Sequence, residues 1–173
     1  MAEQSWGCLL IDGRSGAGKT LFAAQLAASS GAQTLHLEDL YPGWGGLAAG
    51  SLAVADALDR GDYRRYDWYV DEFNDARINL DPSRRLIIEG CGAITKANLA
   101  AAHRWLARSN LPQSDRVVHG IWLESPEAVR RMRALTRDGH DFAVHWQPWA
   151  EQENLHYSRH TPWQLADETR AVD

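Results

Sequence analysis

Eight consecutive residues, Gly13-Arg14-Ser15-Gly16-Ala17-Gly18-Lys19-Thr20, have the types and spacing needed to hold a polyphosphate. They read G-x-x-x-x-G-K-T, the phosphate-binding P-loop. Gly13, Gly16 and Gly18 let the backbone curl and turn its N–H groups toward phosphate oxygens. A helix starting near Lys19 aims the positive end of its dipole at the same anion. In this arrangement Lys19 reaches the β- and γ-phosphates of ATP, and the Thr20 hydroxyl holds Mg²⁺. The alternative is a glycine-rich turn that binds nothing. Against it stand the apolar run Cys8-Leu9-Leu10-Ile11 before the loop, which reads as a buried strand, and the run Leu21 to Ala28 after it, which reads as a helix.

Other residues could complete the chemistry. Thr34-Leu35-His36-Leu37 reads as a short strand and runs into Glu38-Asp39-Leu40-Tyr41. Ligands of parallel α/β sheets bind beyond the carboxyl ends of strands, so Asp39 and Tyr41 fall at the functional edge. Asp39 could instead cap a helix or a turn. The strand Arg85-Leu86-Ile87-Ile88-Glu89 also ends in an acid. Such an acid orients Mg²⁺ and its waters in many P-loop enzymes; the alternative is an exposed strand-end carboxylate. Arg130, Arg133 and Arg137 are spaced three and four apart, and Arg131 lies on the same predicted helix. They form either a solvated face or a stripe that neutralises charge in phosphoryl transfer. His156 and His160 are four apart, but no third metal ligand is evident near them. His103, His140 and His145 carry weaker signals.

The elements that must position these residues follow from apolar patterning. Strands are expected at residues 7–12, 34–37, 85–90 and 117–123, with a short edge strand at 169–172. Helices are expected at 19–30, closed by Gly31, at 47–59, and at 95–108 behind a Thr95 cap with Leu99, Ala102 and Leu106 inward. Another starts at Ser125-Pro126 and stops near Gly139, with Val129, Met132 and Leu135 inward, and a further helical pattern covers 142–157. Residues 61–68 read as a surface loop or a pocket wall.

Composition narrows the classes. A chain of 173 residues without a linker or repeat suits one domain, residues 1–173. The net charge of −5 lends no support to a nucleic-acid partner. No apolar run reaches the length of a membrane span, and the start Met-Ala-Glu-Gln-Ser-Trp does not read as a signal peptide. Cys8 and Cys91 read as buried thiols in a reducing, cytoplasmic setting. Several of the eight Trp cluster in the last third, which points to aromatic packing there without naming a ligand.

Taken together, the chain resembles the uridine kinase family of P-loop nucleoside kinases over most of residues 7–140. The resemblance rests on Gly13 to Thr20, on Glu38, Asp39 and Tyr41, on Tyr66-Asp67-Trp68, on Ile87 to Gly90, and on the Ser125 to Asp138 helix. It implies a P-loop NTPase three-layer sandwich: a five-stranded parallel sheet flanked by helices, with a mobile arginine-bearing lid at about 130–145. By position, Asp39 resembles the carboxylate that accepts the proton of the attacking hydroxyl. Tyr41, Tyr66 and Trp68 resemble acceptor-pocket aromatics, Glu89 the metal-associated acid, and Arg133 and Arg137 the lid arginines that touch ATP. Three departures stand out. The family's arginine after Arg133 is Ala134, and its base-reading histidine falls near Asp71 or Glu72. The segment between Tyr41 and Tyr66 is shorter and lacks the D-H-P element. The resemblance therefore implies ATP- and Mg²⁺-dependent transfer to a hydroxyl of a nucleoside-like small molecule, with an altered acceptor pocket. A nucleotide-binding switch or weak NTPase, and a sugar or sugar-acid kinase, remain open on the same residues. The residues name no oligomeric state.

Overall fold

Four apolar residues and a terminal acid, Cys8–Asp12, form strand β1, buried throughout. This strand is the centre of a parallel sheet ordered β2-β5-β1-β6-β7, with β2 at Gln33–His36, β5 at Leu86–Glu89, β6 at Val118–Glu124 and β7 at Glu168–Ala171. The structure is a computed structural model that describes residues 5–172, and side chains throughout that span except those of 137–142.

Side chains of the inner strands alternate between two apolar clusters, as period-two geometry dictates for strands covered on both faces. Cys8, Leu10, Leu35, Leu86 and Ile88 join α2 (Leu47–Arg60) and α3 (Lys96–Ala107) on one side. Leu9, Ile11, Ile87 and Ile121 join Ala23, Phe22 and Leu26 of α1 (Lys19–Ser30) on the other. The result is the expected three-layer P-loop sandwich. Register places the acids: Ile11 and His36 both lie opposite Glu89, so Asp12, Glu89 and His36 reach the same carboxyl edge.

Several sequence expectations hold. The Thr95 hydroxyl caps α3 by accepting from the Asn98 N–H at 3.1 Å. Gly31 closes α1 with φ 68°. The edge strand exists, one residue earlier than expected and paired parallel to β6.

Others are corrected. No helix end occurs near Gly139: α4 is continuous from Glu127 to His160, with Pro148 inside it. An interior glycine costs a helix only about 1 kcal/mol. That cost is outweighed by the buried face of Trp146, Trp149, Glu153, His156 and Tyr157. The α4 N-cap is Pro126 rather than Ser125. Met132 is exposed, and the inward positions beside it are Arg130 and Ala134. Residues 61–68 are mostly strand rather than surface loop. Asp62–Asp67 is β3, paired antiparallel with β4 (Glu72–Asn79) in a separate hairpin. Strand β4 is exposed along nearly its whole length, so it lacks the apolar alternation that would reveal it. Two short turns of 3-10 helix, Leu37–Asp39 and Gln113–Asp115, and the short helix α5 (Pro162–Leu165) complete the chain.

Candidate active site

The loop between β1 and α1 adopts a conformation only glycine tolerates. Gly16 has φ 79°, and a Cβ there would lie 2.2 Å from the Arg130 carbonyl oxygen. Gly18, at φ 91°, is the α1 N-cap and has no side chain to cap the first turn, so the N-terminal N–H groups face outward for an anion. Lys19 is buried, and its ammonium donates to the Arg14 carbonyl at 3.1 Å and to Cys91 Sγ at 3.4 Å. Desolvation works to lower the Lys19 pKa, but Cys91, Glu89, Glu153 and Asp12 around it hold it above the ordinary value. The residue is therefore a fixed cation.

Beside the loop, the Thr20 hydroxyl faces the Glu89 carboxylate at 3.3 and 3.4 Å. Glu89 is buried and pairs with His36 Nδ1 at 2.6 Å. The Glu89 hydrogen bond is the largest cause that raises the His36 pKa. One hydroxyl and one carboxylate are the hard oxygen donors that magnesium takes when substrate phosphates and water supply the rest. The two residues expected to hold Mg²⁺ thus fit it. Among the described residues no group of three or more His, Cys, Asp or Glu forms a metal cage of its own.

Asp39 ends the turn that follows β2, half-buried. Its Oδ1 pairs with Arg65 Nε of the hairpin at 2.9 Å. Burial raises its pKa from the ordinary carboxylate value, and Arg65 and His36 oppose that rise without cancelling it. A carboxylate so placed is more basic than a solvated aspartate, which suits proton abstraction.

The predicted pocket aromatics come together, though in different ways. Trp68 meets Trp44 at 5.1 Å and Tyr66 at 5.4 Å between ring centres, both edge-on. Trp44 stacks on His145 of α4 at 4.1 Å. Tyr66 also hydrogen-bonds Asp71, which sits in the hairpin turn with φ 60°. Tyr41 is buried: its hydroxyl donates to the Cys91 carbonyl at 2.8 Å and its ring meets Trp149 at 5.0 Å.

Of the arginine stripe, Arg130 touches the P-loop. It is buried, donates to the Ser15 carbonyl at 3.1 Å and lies over the Trp146 ring. Arg133 is half-buried, with Nη1 3.5 Å from Ser125 Oγ. The Arg137 side chain lies outside the described residues.

Sequence reasoning passed over five residues at this edge. Asp12, fully buried, accepts from the N–H groups of Gly13, Gly92 and Ile94 and from the Tyr157 hydroxyl. Glu153, Arg65 and His36 complete the set. An acid closing an apolar strand immediately before the P-loop was a readable signal for Asp12. For Glu153 and Tyr157 the signal was the stripe Trp146, Trp149, Glu153, Tyr157 at helical spacing. Arg65 offered none, because its partner Asp39 lies outside the hairpin, in the turn after β2.

This architecture and loop give the chain the three-layer fold of P-loop NTPases. No family model matches it, and no curated protein matches it. Among solved structures it is similar to a possible uridine kinase from Bacillus stearothermophilus, with TM-score 0.57 and 17% identity over 98% of this chain and 90% of that one. It is also similar, more distantly, to a gluconokinase from Sinorhizobium meliloti 1021, with TM-score 0.48 and 14% identity over 99% and 84% of the two chains. A shikimate kinase from Bacteroides thetaiotaomicron stands at TM-score 0.46 and 11% identity, over 95% and 85%. No helix of the described residues is long and apolar enough to cross a membrane.

Proposed function

We propose that this protein is an ATP-dependent small-molecule kinase that transfers the γ-phosphoryl group to a hydroxyl of a nucleoside-like acceptor. The observation that carries the reading is Asp39, a half-buried carboxylate of raised pKa at the same sheet edge as a complete P-loop. A nucleotide switch has no use for an acceptor base.

In the proposed reaction the P-loop N–H groups and Lys19 hold the ATP phosphates. Asp39 takes the proton of the acceptor hydroxyl as its oxygen attacks the γ-phosphorus in line. The bond from γ-phosphorus to the β–γ bridging oxygen breaks, and ADP leaves with that electron pair. Arg130, Arg133 and Arg137 supply positive charge toward the transferring group. Thr20 and Glu89 would hold Mg²⁺, which supplies charge neutralisation of the phosphates when bound. Tyr66, Trp68 and Asp71 would line the acceptor side, with Tyr41 supporting them from beneath. Arg65 favours a second acceptor class. Its guanidinium is exposed beside Asp39 and suits the carboxylate of a sugar acid.

The test is ADP release from Mg·ATP with a panel of nucleosides, nucleotides, sugars and sugar acids, run alongside Lys19→Ala. Stimulation by one acceptor, lost in Lys19→Ala, is the expected result. Tight ATP binding with a flat response across the panel would overturn the kinase reading in favour of a switch or weak NTPase.

A further inference from the structure

The P-loop already holds an anion, and the anion belongs to the chain itself. Glu153 of α4 is 1% exposed, and its Oε1 accepts the Ser15 N–H at 2.6 Å. Its Oε2 pairs with Arg14 Nη1 at 3.4 Å, and the Cys91 thiol lies 3.4 Å from Oε1. Burial pushes the Cys91 thiol up to about 12, so it stays protonated and can donate. Cys91 also accepts from Lys19 and thereby links the P-loop lysine to Glu153. A backbone amide, a guanidinium and a nearby ammonium are the donor types a polyphosphate recruits from such a loop.

The contact is braced on both sides. One turn further along α4, the Tyr157 hydroxyl donates to Asp12 Oδ1 at 2.9 Å and to the Gly13 carbonyl at 3.1 Å. At the other end of the helix, Arg130 holds the Ser15 carbonyl. Both ends of α4 therefore grip residues 13–16 of the loop. A cavity of about 420 Å³ opens between them, lined by Arg14, Arg130, Trp146, Gln147 and Glu153 among others. Glu153 is the carboxylate that stands where this cavity meets the loop amides.

Two anions cannot share one set of donors in a buried site without a large electrostatic penalty. We propose that Glu153 is a built-in competitor of nucleotide phosphate: its carboxylate occupies part of the P-loop's anion cradle in the free protein and withdraws when nucleotide binds. Nucleotide binding is then linked to a change in how α4 sits on the loop, because each state excludes the other. The inference rests on the nucleotide-binding reading of the P-loop, but not on any acceptor.

The experiment is titration calorimetry of Mg·ATP against the wild type, Glu153→Gln and Glu153→Asp. Glutamine removes the charge at constant size. Aspartate keeps the charge but draws it back by one methylene. Thermal melts by circular dichroism check that each variant is folded, and either variant alone suffices. Glu153→Gln is expected to bind Mg·ATP at least about tenfold more tightly, with Glu153→Asp between it and the wild type. Equal or weaker binding by the variants would overturn the inference and make Glu153 a residue that shapes the loop for nucleotide. That result would leave the kinase reading standing. No binding by any of the proteins would overturn both together.

Discussion

Replacing Asp12 with asparagine should make the protein's stability respond to pH in a specific way. Asp12 is fully buried and takes four hydrogen bonds: Gly13 N–H at 2.7 Å, Gly92 N–H at 3.0 Å and Tyr157 OH at 2.9 Å on Oδ1, and Ile94 N–H at 2.8 Å on Oδ2. Asparagine can keep the three bonds at Oδ1. Its amide N–H₂ then faces the Ile94 N–H, and an orphaned buried donor costs about 1–3 kcal/mol. Against that loss stands the relief of a buried charge. Desolvation raises the Asp12 pKa from 3.8 to about 6, even though the three backbone N–H bonds and Lys19 favour the carboxylate. A rise of about two units is worth about 3 kcal/mol at 1.36 kcal/mol per unit.

Because the folded-state value lies above the unfolded one, the folded protein binds the proton more tightly. The wild type is therefore relatively more stable at low pH and loses that advantage as pH rises from about 4 through about 6. The variant has no such group. At about pH 7.5 the two should differ by about 2 kcal/mol or less, since the lost bond and the relieved charge nearly cancel. At about pH 4.5 the difference should shift by about 2 kcal/mol toward the wild type. Urea denaturation of both proteins at the two pH values measures this, and every other titrating group cancels in the difference. A difference that stays constant or shifts toward the variant on acidification would refute the reasoning. It would mean that the three N–H donors hold Asp12 ionised and outweigh its burial.

Further outcomes follow from the site. Gly16→Ala places a methyl group against the Arg130 carbonyl in a left-handed backbone, so it should weaken Mg·ATP binding by at least tenfold, as titration calorimetry would measure. If Asp39 is the acceptor base, transfer should fall with acidification along a limb set above the ordinary carboxylate value. Arg65→Ala should move that limb higher still, because Arg65 lowers the Asp39 pKa. Asp39→Asn should cost a factor of about 10² to 10⁴ in rate, and an unchanged rate with a true acceptor would remove Asp39 from the mechanism.

Much of this protein is local in origin and so legible in the chain. The P-loop is eight contiguous residues whose conformation depends on its own glycines. The inner strands are short apolar runs bounded by turns, and Thr95 and Gly31 act within one turn of their helices. Registry at the sheet edge brings Glu89 beside Thr20.

What escaped is non-local. Strand β4 is exposed along nearly its whole length, so hydrophobic period says nothing of the β3–β4 hairpin, and that hairpin delivers Arg65 to Asp39. Gly139 looked like a helix end because local propensity favours one there. Tertiary burial of Trp146, Trp149 and Tyr157 carries α4 past it instead. That continuation sets Glu153 on the Ser15 amide, a contact between residues 138 positions apart. The sequence by itself determined the phosphate-binding loop and the layers around it, because each arises from neighbours along the chain. Only the tertiary structure decided what stands opposite that loop, because the position of a buried charge is set by packing at distances no local pattern encodes.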